Sequence, residues 1–236
     1  MTTAPTPAWL LPAYVRAAVA AGATAPEPEI AAAGSRLLDR WTNPARRFHD
    51  VRHLVELLTR VDELQQETRK PQCVRLAAWY HGAVFSSDTE TAKAHRGGED
   101  EAASAQYARE QLSALGVPEE KVESIAEMVH NLLRHSALPG SPDASVLSDA
   151  DLAILAAEPQ RYKAYTEDVR AEYAHIPDED FYRSRRAIIG KLLSRPRLYT
   201  SPLGLTWESQ ARQNLTAEAA RLDKALRKMS PAPDAG

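Results

Sequence analysis

Histidines and carboxylates recur along this chain inside runs that look able to carry them inward. His49 and His53 lie four residues apart in Arg46-Arg47-Phe48-His49-Asp50-Val51-Arg52-His53-Leu54. At about 100° per residue, a helix would project both from one face. Val51, Leu54, Leu57, Leu58 and Val61 form a broad apolar arc, with the two histidines at its edge, where a buried helix meets a pocket. His81 ends a nearly all-apolar run and is followed by Gly82; Glu101, His135 and Asp151 come later, on separate segments. Imidazole nitrogens and carboxylate oxygens suit divalent first-row metals such as Mn, Fe, Co, Ni or Zn. Gathered from several helices into a bundle core, they could hold one or two ions. Such ions activate water for attack at phosphorus and clamp the phosphoryl oxygens. The plainer reading of His81 is a core histidine bonded to a carbonyl.

Nearly every long segment that must position these residues reads as helix. Trp9 to Ala21 is apolar, and a second helix opens at Pro26-Glu27-Pro28 and runs through Leu37, Leu38 and Trp41. Asn43 reads as an N-cap with Pro44 at the first helical position, which predicts one histidine helix from there to about Gln66. Gln72 to Phe85 leaves almost no polar face and is expected to be central and buried. A polar loop from Ser86 to Gly98 carries Asp88, Glu90 and His95. The helix that follows contains Glu101 and closes at Gly116 as a C′ glycine. Pro118 opens another that reaches His135. Pro139-Gly140-Ser141-Pro142 is a turn cluster, and Ser148 or Asp149 is expected to cap the helix carrying Asp151. Helices then follow over 162–173, 180–193 and 206–229. No segment offers the alternation of a strand, and no repeat is apparent. The expected fold is all-α: one helical domain over 7–229 between Pro/Ala/Ser-rich, disordered tails at 1–6 and 230–236.

Composition excludes several classes. The chain has 236 residues, enough for one large domain, with 44% hydrophobic and 26% charged residues, as soluble globular proteins have. Its 29 Lys and Arg against 32 Asp and Glu leave no basic footprint, so a nucleic-acid polymer is not an expected partner. No apolar run approaches the roughly eighteen residues that span a bilayer, so no membrane partner is expected. The start of the chain lacks the basic-then-apolar order of a signal peptide. The single cysteine, Cys73, cannot form an internal disulfide and is compatible with a reducing compartment. A cytoplasmic location is expected.

The order of residues resembles the HD-domain superfamily of metal-dependent phosphohydrolases, and within it a branch of predicted phosphohydrolases. The branch's Arg-x-Tyr-His-x-x-x-His-Leu reads here as Arg46 to Leu54. Its Ala-x-Trp-Phe-His-Asp reads as Ala77-Ala78-Trp79-Tyr80-His81-Gly82, and its Asn-Glu-x-x-Ser-Ala as Asp100 to Ala105. Its Asp-Ala-Asp-Leu-Ala-Ile-Leu is intact at Asp149 to Leu155, and Arg170-Ala171-Glu172-Tyr173 and Ala211 to Leu215 also fit. The match runs from about Trp41 to Leu222. The resemblance implies a helical bundle of the HD type that acts on a small phosphorylated metabolite or nucleotide through metal-activated water. It implies His49, His81 and Asp151 as metal ligands, with His53 and His135 as accessory ligands or phosphate-facing groups. Glu101 would act as a general base or orient water. Asp149 would orient a neighbour or contact substrate, and Arg46 would anchor phosphate unless it serves an ion pair. Arg170 and Arg185 read as structural ion-pair partners.

One departure matters. Gly82 stands where the family's metal-binding aspartate belongs. Either Asp50, Asp88 or Glu101 compensates, or metal binds weakly, or activity is reduced or lost. The competing expectation is therefore a catalytically impaired homologue, a helical ligand-binding or interaction protein. His49-Asp50-Val51-Arg52-His53 also has the spacing of a degenerate His-Glu-x-x-His protease helix, but aspartate is one methylene shorter than the glutamate base, and the other motifs point elsewhere. Glu127-Met128-Val129-His130 has the Glu-x-x-His spacing of di-iron bundles, without a second copy.

Overall fold

A computed structural model describes residues 6–86, 98–132 and 140–229. His135, Asp88, Glu90, His95 and the terminal stretches 1–5 and 230–236 lie outside the described residues. Within them the fold is all-α, as expected, with a single two-stranded antiparallel ribbon. The helices are α1 (Leu10–Ala21), α2 (Glu27–Trp41), α3 (Val51–Glu63), α4 (Pro71–Tyr80) and α5 (Glu101–Ala114). They continue as α6 (Glu119–Asn131), α7 (Pro142–Leu152), α8 (Pro159–Glu172), α9 (Asp178–Leu193) and α10 (Glu208–Met229). The ribbon pairs β1 (Phe85–Ser86) with β2 (Gly98–Glu99).

The axis of the bundle is α4. Its residues Cys73, Val74, Leu76, Ala77, Ala78, Trp79 and Tyr80 are all buried, and it packs against α1, α3, α5, α6 and α7. A helix this apolar is stable only when largely surrounded. Each large side chain so enclosed contributes about 1.5–3 kcal/mol of burial. Two polar contacts fix its C-terminal end: the Tyr14 and Tyr80 hydroxyls meet at 2.7 Å, and Trp41 Nε1 donates to Trp79 O at 3.0 Å. His81, completely buried, therefore leaves α4 at a fixed place.

A second apolar cluster joins the C-terminal helices, with Tyr162, Tyr165, Ile189, Tyr199, Ala211 and Leu215 at its centre and Phe48 reaching in from the other side. The buried residues of α3 belong to the first cluster, and Phe48 in the turn before it belongs to the second. Arg170 pairs with Asp178 and Arg185 with Glu218, both structural, as expected.

Several boundaries differ from the expected ones. The histidine helix does not begin at Pro44. Asn43 Oδ1 accepts from Ala45 N in a turn, and α3 starts at Val51 with Asp50 as its N-cap, accepting from Arg52 N at 2.8 Å. His49 thus precedes the helix, and the one-face argument for His49 and His53 does not hold. Helix α3 ends at Glu63, and a short 3-10 turn follows. The buried helix stops at Tyr80 instead of Phe85, because Phe85 and Ser86 enter the ribbon. Helix α7 is capped by Ser141, whose Oγ accepts from Ala144 N, with Pro142 opening the first turn, so Asp149 lies inside the helix. The C′ glycine at Gly116 is as expected, at φ +71°.

Candidate metal centre

Four side chains from four elements converge beneath Trp41. His53 comes from α3, His81 from the end of α4, Asp151 from α7 and Glu99 from β2. His53 Nε2 lies 3.2 Å from His81 Nε2 and 3.2 Å from Asp151 Oδ1, and His81 Nε2 is 3.8 Å from the same Asp151 oxygen. Glu99 Oε1 is 3.3 Å from His81 Nε2, and the ligand atoms of His53, His81 and Glu99 all lie within 4.8 Å of one another. The indole of Trp41 covers the pair of rings, with centroids 5.1 Å from His81 and 6.2 Å from His53, and Phe48 packs on His53 at 4.9 Å.

Hydrogen-bond roles show what this cluster lacks. His81 Nδ1 sits 2.7 Å from Ala78 O, and a carbonyl can only accept, so the proton is on Nδ1 and Nε2 presents a lone pair. Burial lowers the His81 pKa despite the nearby charges of Glu99 and Asp151, which keeps the ring neutral. Glu99 Oε1 is buried and has no hydrogen-bond partner. Leaving a buried carboxylate oxygen without a donor is costly. The ligand atoms of His53, His81 and Glu99 are close enough together to hold a metal ion, and imidazole and carboxylate donors suit Mn, Fe, Co, Ni or Zn.

His49 stands beside this group instead of within it. Its ring centroid is 5.8 Å from that of His53 and 5.2 Å from that of Phe85. Its Nδ1 meets Glu172 Oε2 at 2.5 Å, and Glu172 Oε1 accepts from the backbone N–H groups of Arg47, Phe48 and His49 at 2.9, 3.3 and 3.2 Å. One buried carboxylate from the end of α8 thus fixes the whole turn before α3 and leaves Nε2 as the remaining ring nitrogen. Burial pushes the His49 pKa down, but the bond to Glu172 and the charges of Glu99, Glu172 and Asp151 outweigh it, and the net shift is upward. Burial likewise pushes the Glu172 carboxyl up, and the His49 bond and the three backbone donors outweigh that to hold it low.

The other expected site residues take varied places. Arg46 is buried and braced: Nη1 donates to His49 O at 3.1 Å and Nη2 to Gly82 O at 2.8 Å, with the guanidinium over Trp41 and Phe85. Burial lowers its pKa to about 10. It ties the His49 turn to the end of α4 and also lines a cavity of about 450 Å³ with Arg40 and Phe85. Asp149 is buried and accepts from Thr200 N and Ser201 N, at 2.9 and 2.7 Å from its Oδ2, so it holds the 200–201 loop. Glu101 opens α5 directly after the Asp100 cap. Burial, with the nearby charges of Glu99, Asp151 and Asp100, raises its carboxyl to about 7. A cavity of about 240 Å³ has His53 and Asp151 in its wall, with Arg60 and Arg161 near them.

The structure therefore brings together His53, His81 and Asp151, sets His49 one ring away, and adds Glu99, which the sequence reading passed over. The signal that could have found Glu99 is weak: an acidic residue directly before a capping aspartate, in Gly98-Glu99-Asp100-Glu101. No family model, no curated protein and no solved structure matches the chain.

Proposed function

We propose that this protein is a metal-dependent phosphohydrolase acting on a small phosphorylated metabolite or nucleotide. The observation that carries the reading is the convergence of His53 Nε2, His81 Nε2 and Asp151 Oδ1 within 3.8 Å of one another, beside the unpartnered Glu99 Oε1. The resemblance to HD-domain phosphohydrolases is in keeping with it, through His81 and Asp151. A bound divalent ion supplies charge neutralisation of phosphoryl oxygens and activation of water.

The chain's own residues have distinct tasks in this reading. His81 is held by Ala78 O so that Nε2 faces the cluster, and Trp41 shields it from water. Glu172 fixes His49 through Nδ1 and so holds the turn that leads into α3 and His53. Glu101, at the start of α5, is the candidate to accept a proton from water. The 240 Å³ cavity provides the approach to His53 and Asp151, and its size suits a small phosphorylated group. Arg161 and Arg60 are paired with Glu56 and Glu63 there, and a phosphate would compete with those carboxylates for them. The near-neutral charge gives a nucleic-acid polymer no footprint, and among the described residues no helix is long and apolar enough to cross a membrane. A cytoplasmic setting accords with the lone, buried Cys73.

Gly82 favours a second reading, a homologue that binds ligands without turning them over. The two are separated by assaying phosphate release from phosphomonoesters and nucleoside monophosphates with added Mn, Ni, Co or Zn, on wild type and Asp151→Asn. Metal-dependent release lost in Asp151→Asn supports the hydrolase. Metal binding without release from any substrate supports the binding protein.

A further inference from the structure

We propose that Glu99 supplies the metal-binding carboxylate that the residue after His81 does not, and that position 82 is glycine because Glu99 and Trp41 fill the space of its side chain. The proposal rests on the metal-centre reading above and assigns it a ligand.

The packing around Gly82 carries it. A Cβ built on Gly82 would lie 2.3 Å from Trp41 Cη2 and 2.9 Å from Glu99 Oε1. Both are far inside ordinary contact. Trp41 cannot yield easily, because it is fully buried and its Nε1 is bonded to Trp79 O. A carboxylate at 82 would therefore compete for the same volume with one already delivered from across the ribbon. Glu99 Oε1 is the buried oxygen without a hydrogen-bond partner, and it faces His81 Nε2 at 3.3 Å.

The position of Glu99 is built and not incidental. Its residue pairs with Phe85 in the ribbon, and the next residue, Asp100, donates its N–H to Val84 O at 3.0 Å and caps α5 through Ala103 N. Ser104 Oγ accepts from Val84 N at 2.9 Å, and Arg46 holds Gly82 O. The backbone on both sides of the His81–Glu99 contact is thereby locked. The space beside Gly82 is thus taken by the Glu99 carboxylate, which faces His81 from the ribbon.

The test is the dissociation constant for Mn²⁺ and Zn²⁺, measured by calorimetry on the metal-stripped full chain. Four proteins are compared: wild type, Glu99→Gln, Gly82→Ala and the exposed charge control Glu119→Gln, each checked for native helicity by circular dichroism. Glu99→Gln keeps size and shape, so folding is expected to survive. Its affinity is expected to fall at least about tenfold, the scale on which even outer partners of metal ligands act. Gly82→Ala is expected to fall comparably because its Cβ displaces Glu99, while Glu119→Gln stays at the wild-type value. Wild-type binding with unchanged affinity in Glu99→Gln would overturn this proposal and leave the metal centre standing on His53, His81 and Asp151. Absence of binding in wild type would overturn both.

Discussion

The Nε2 atoms of His53 and His81 lie 3.2 Å apart, and only one of them has a proton to offer, because His81 spends its own on Ala78 O. Two imidazoles this close face two carboxylates. The tautomer follows. Long-range nitrogen–proton NMR on metal-free protein is expected to show His81 protonated at Nδ1 and bare at Nε2. A proton on Nε2 would contradict the reading of His81 as a poised ligand.

Glu172 is expected to matter more for folding than a single ion pair with His49 would suggest. Glu172→Ala leaves three backbone N–H groups and the His49 ring without their acceptor. Hydrogen bonds to a charged group contribute about 1.5–3 kcal/mol, and the orphaned donors add to that, so a loss of about 3 kcal/mol is expected in urea unfolding. A loss below about 1 kcal/mol would mean that water replaces the carboxylate and the turn is not held by it.

The C-terminal cluster has its own polar centre. Arg185 Nε donates to Glu218 Oε1 at 2.8 Å, and Tyr162 Oη donates to Glu218 Oε2 at 2.5 Å, with both charged side chains nearly buried. Removing one partner of such a pair strands the other, at about 3–5 kcal/mol. Glu218→Ala is therefore expected to lower stability by that amount, and a double-mutant cycle with Arg185→Met is expected to recover part of it. An additive cycle would show that the pair is not coupled.

Buried phenols set the alkaline limit. Burial raises the pKa of Tyr14 to about 12 and moves Tyr80, Tyr162, Tyr165, Tyr173 and Tyr199 upward as well. Unfolded tyrosine ionises near pH 10. Above that pH the unfolded chain holds fewer protons than the folded one, so these groups leave stability unchanged below about pH 10 and reduce it as pH rises toward 12. In a titration followed at the phenolate band, these tyrosines are expected to ionise together with the loss of helical circular dichroism. Independent ionisation near pH 10 in folded protein would contradict their burial.

Much of the fold was legible because its signals are local. The apolar run ending at His81 has almost no polar face, and α4 is the buried axis; Gly116 and Pro118 punctuate α5 and α6 as their backbone chemistry requires. The errors arise where a distant residue decides a local conformation. Asn43-Pro44 has the form of a helix start, but Glu172, more than a hundred residues away, gathers the N–H groups of residues 47–49 and delays the helix to Val51. Ser148 and Asp149 look like caps, yet Ser141 takes that role and Asp149 reaches the 200–201 loop instead. The resemblance names His81 and Asp151 as ligands, with His49 ahead of His53, whereas the structure sets His53 beside them and His49 one ring away. Glu99 could not be named, because its role depends on a two-residue ribbon and on the space left at Gly82, neither of which has a period to read.

The central claim is a metal centre, and metal content tests it most directly. Full-length protein purified without chelator is analysed for elements, as wild type and as His81→Ala. Near-stoichiometric Mn, Fe, Co, Ni or Zn in wild type, lost in His81→Ala, is the result expected. A wild-type protein that holds no ion, even after incubation with excess Mn or Ni, would contradict the account.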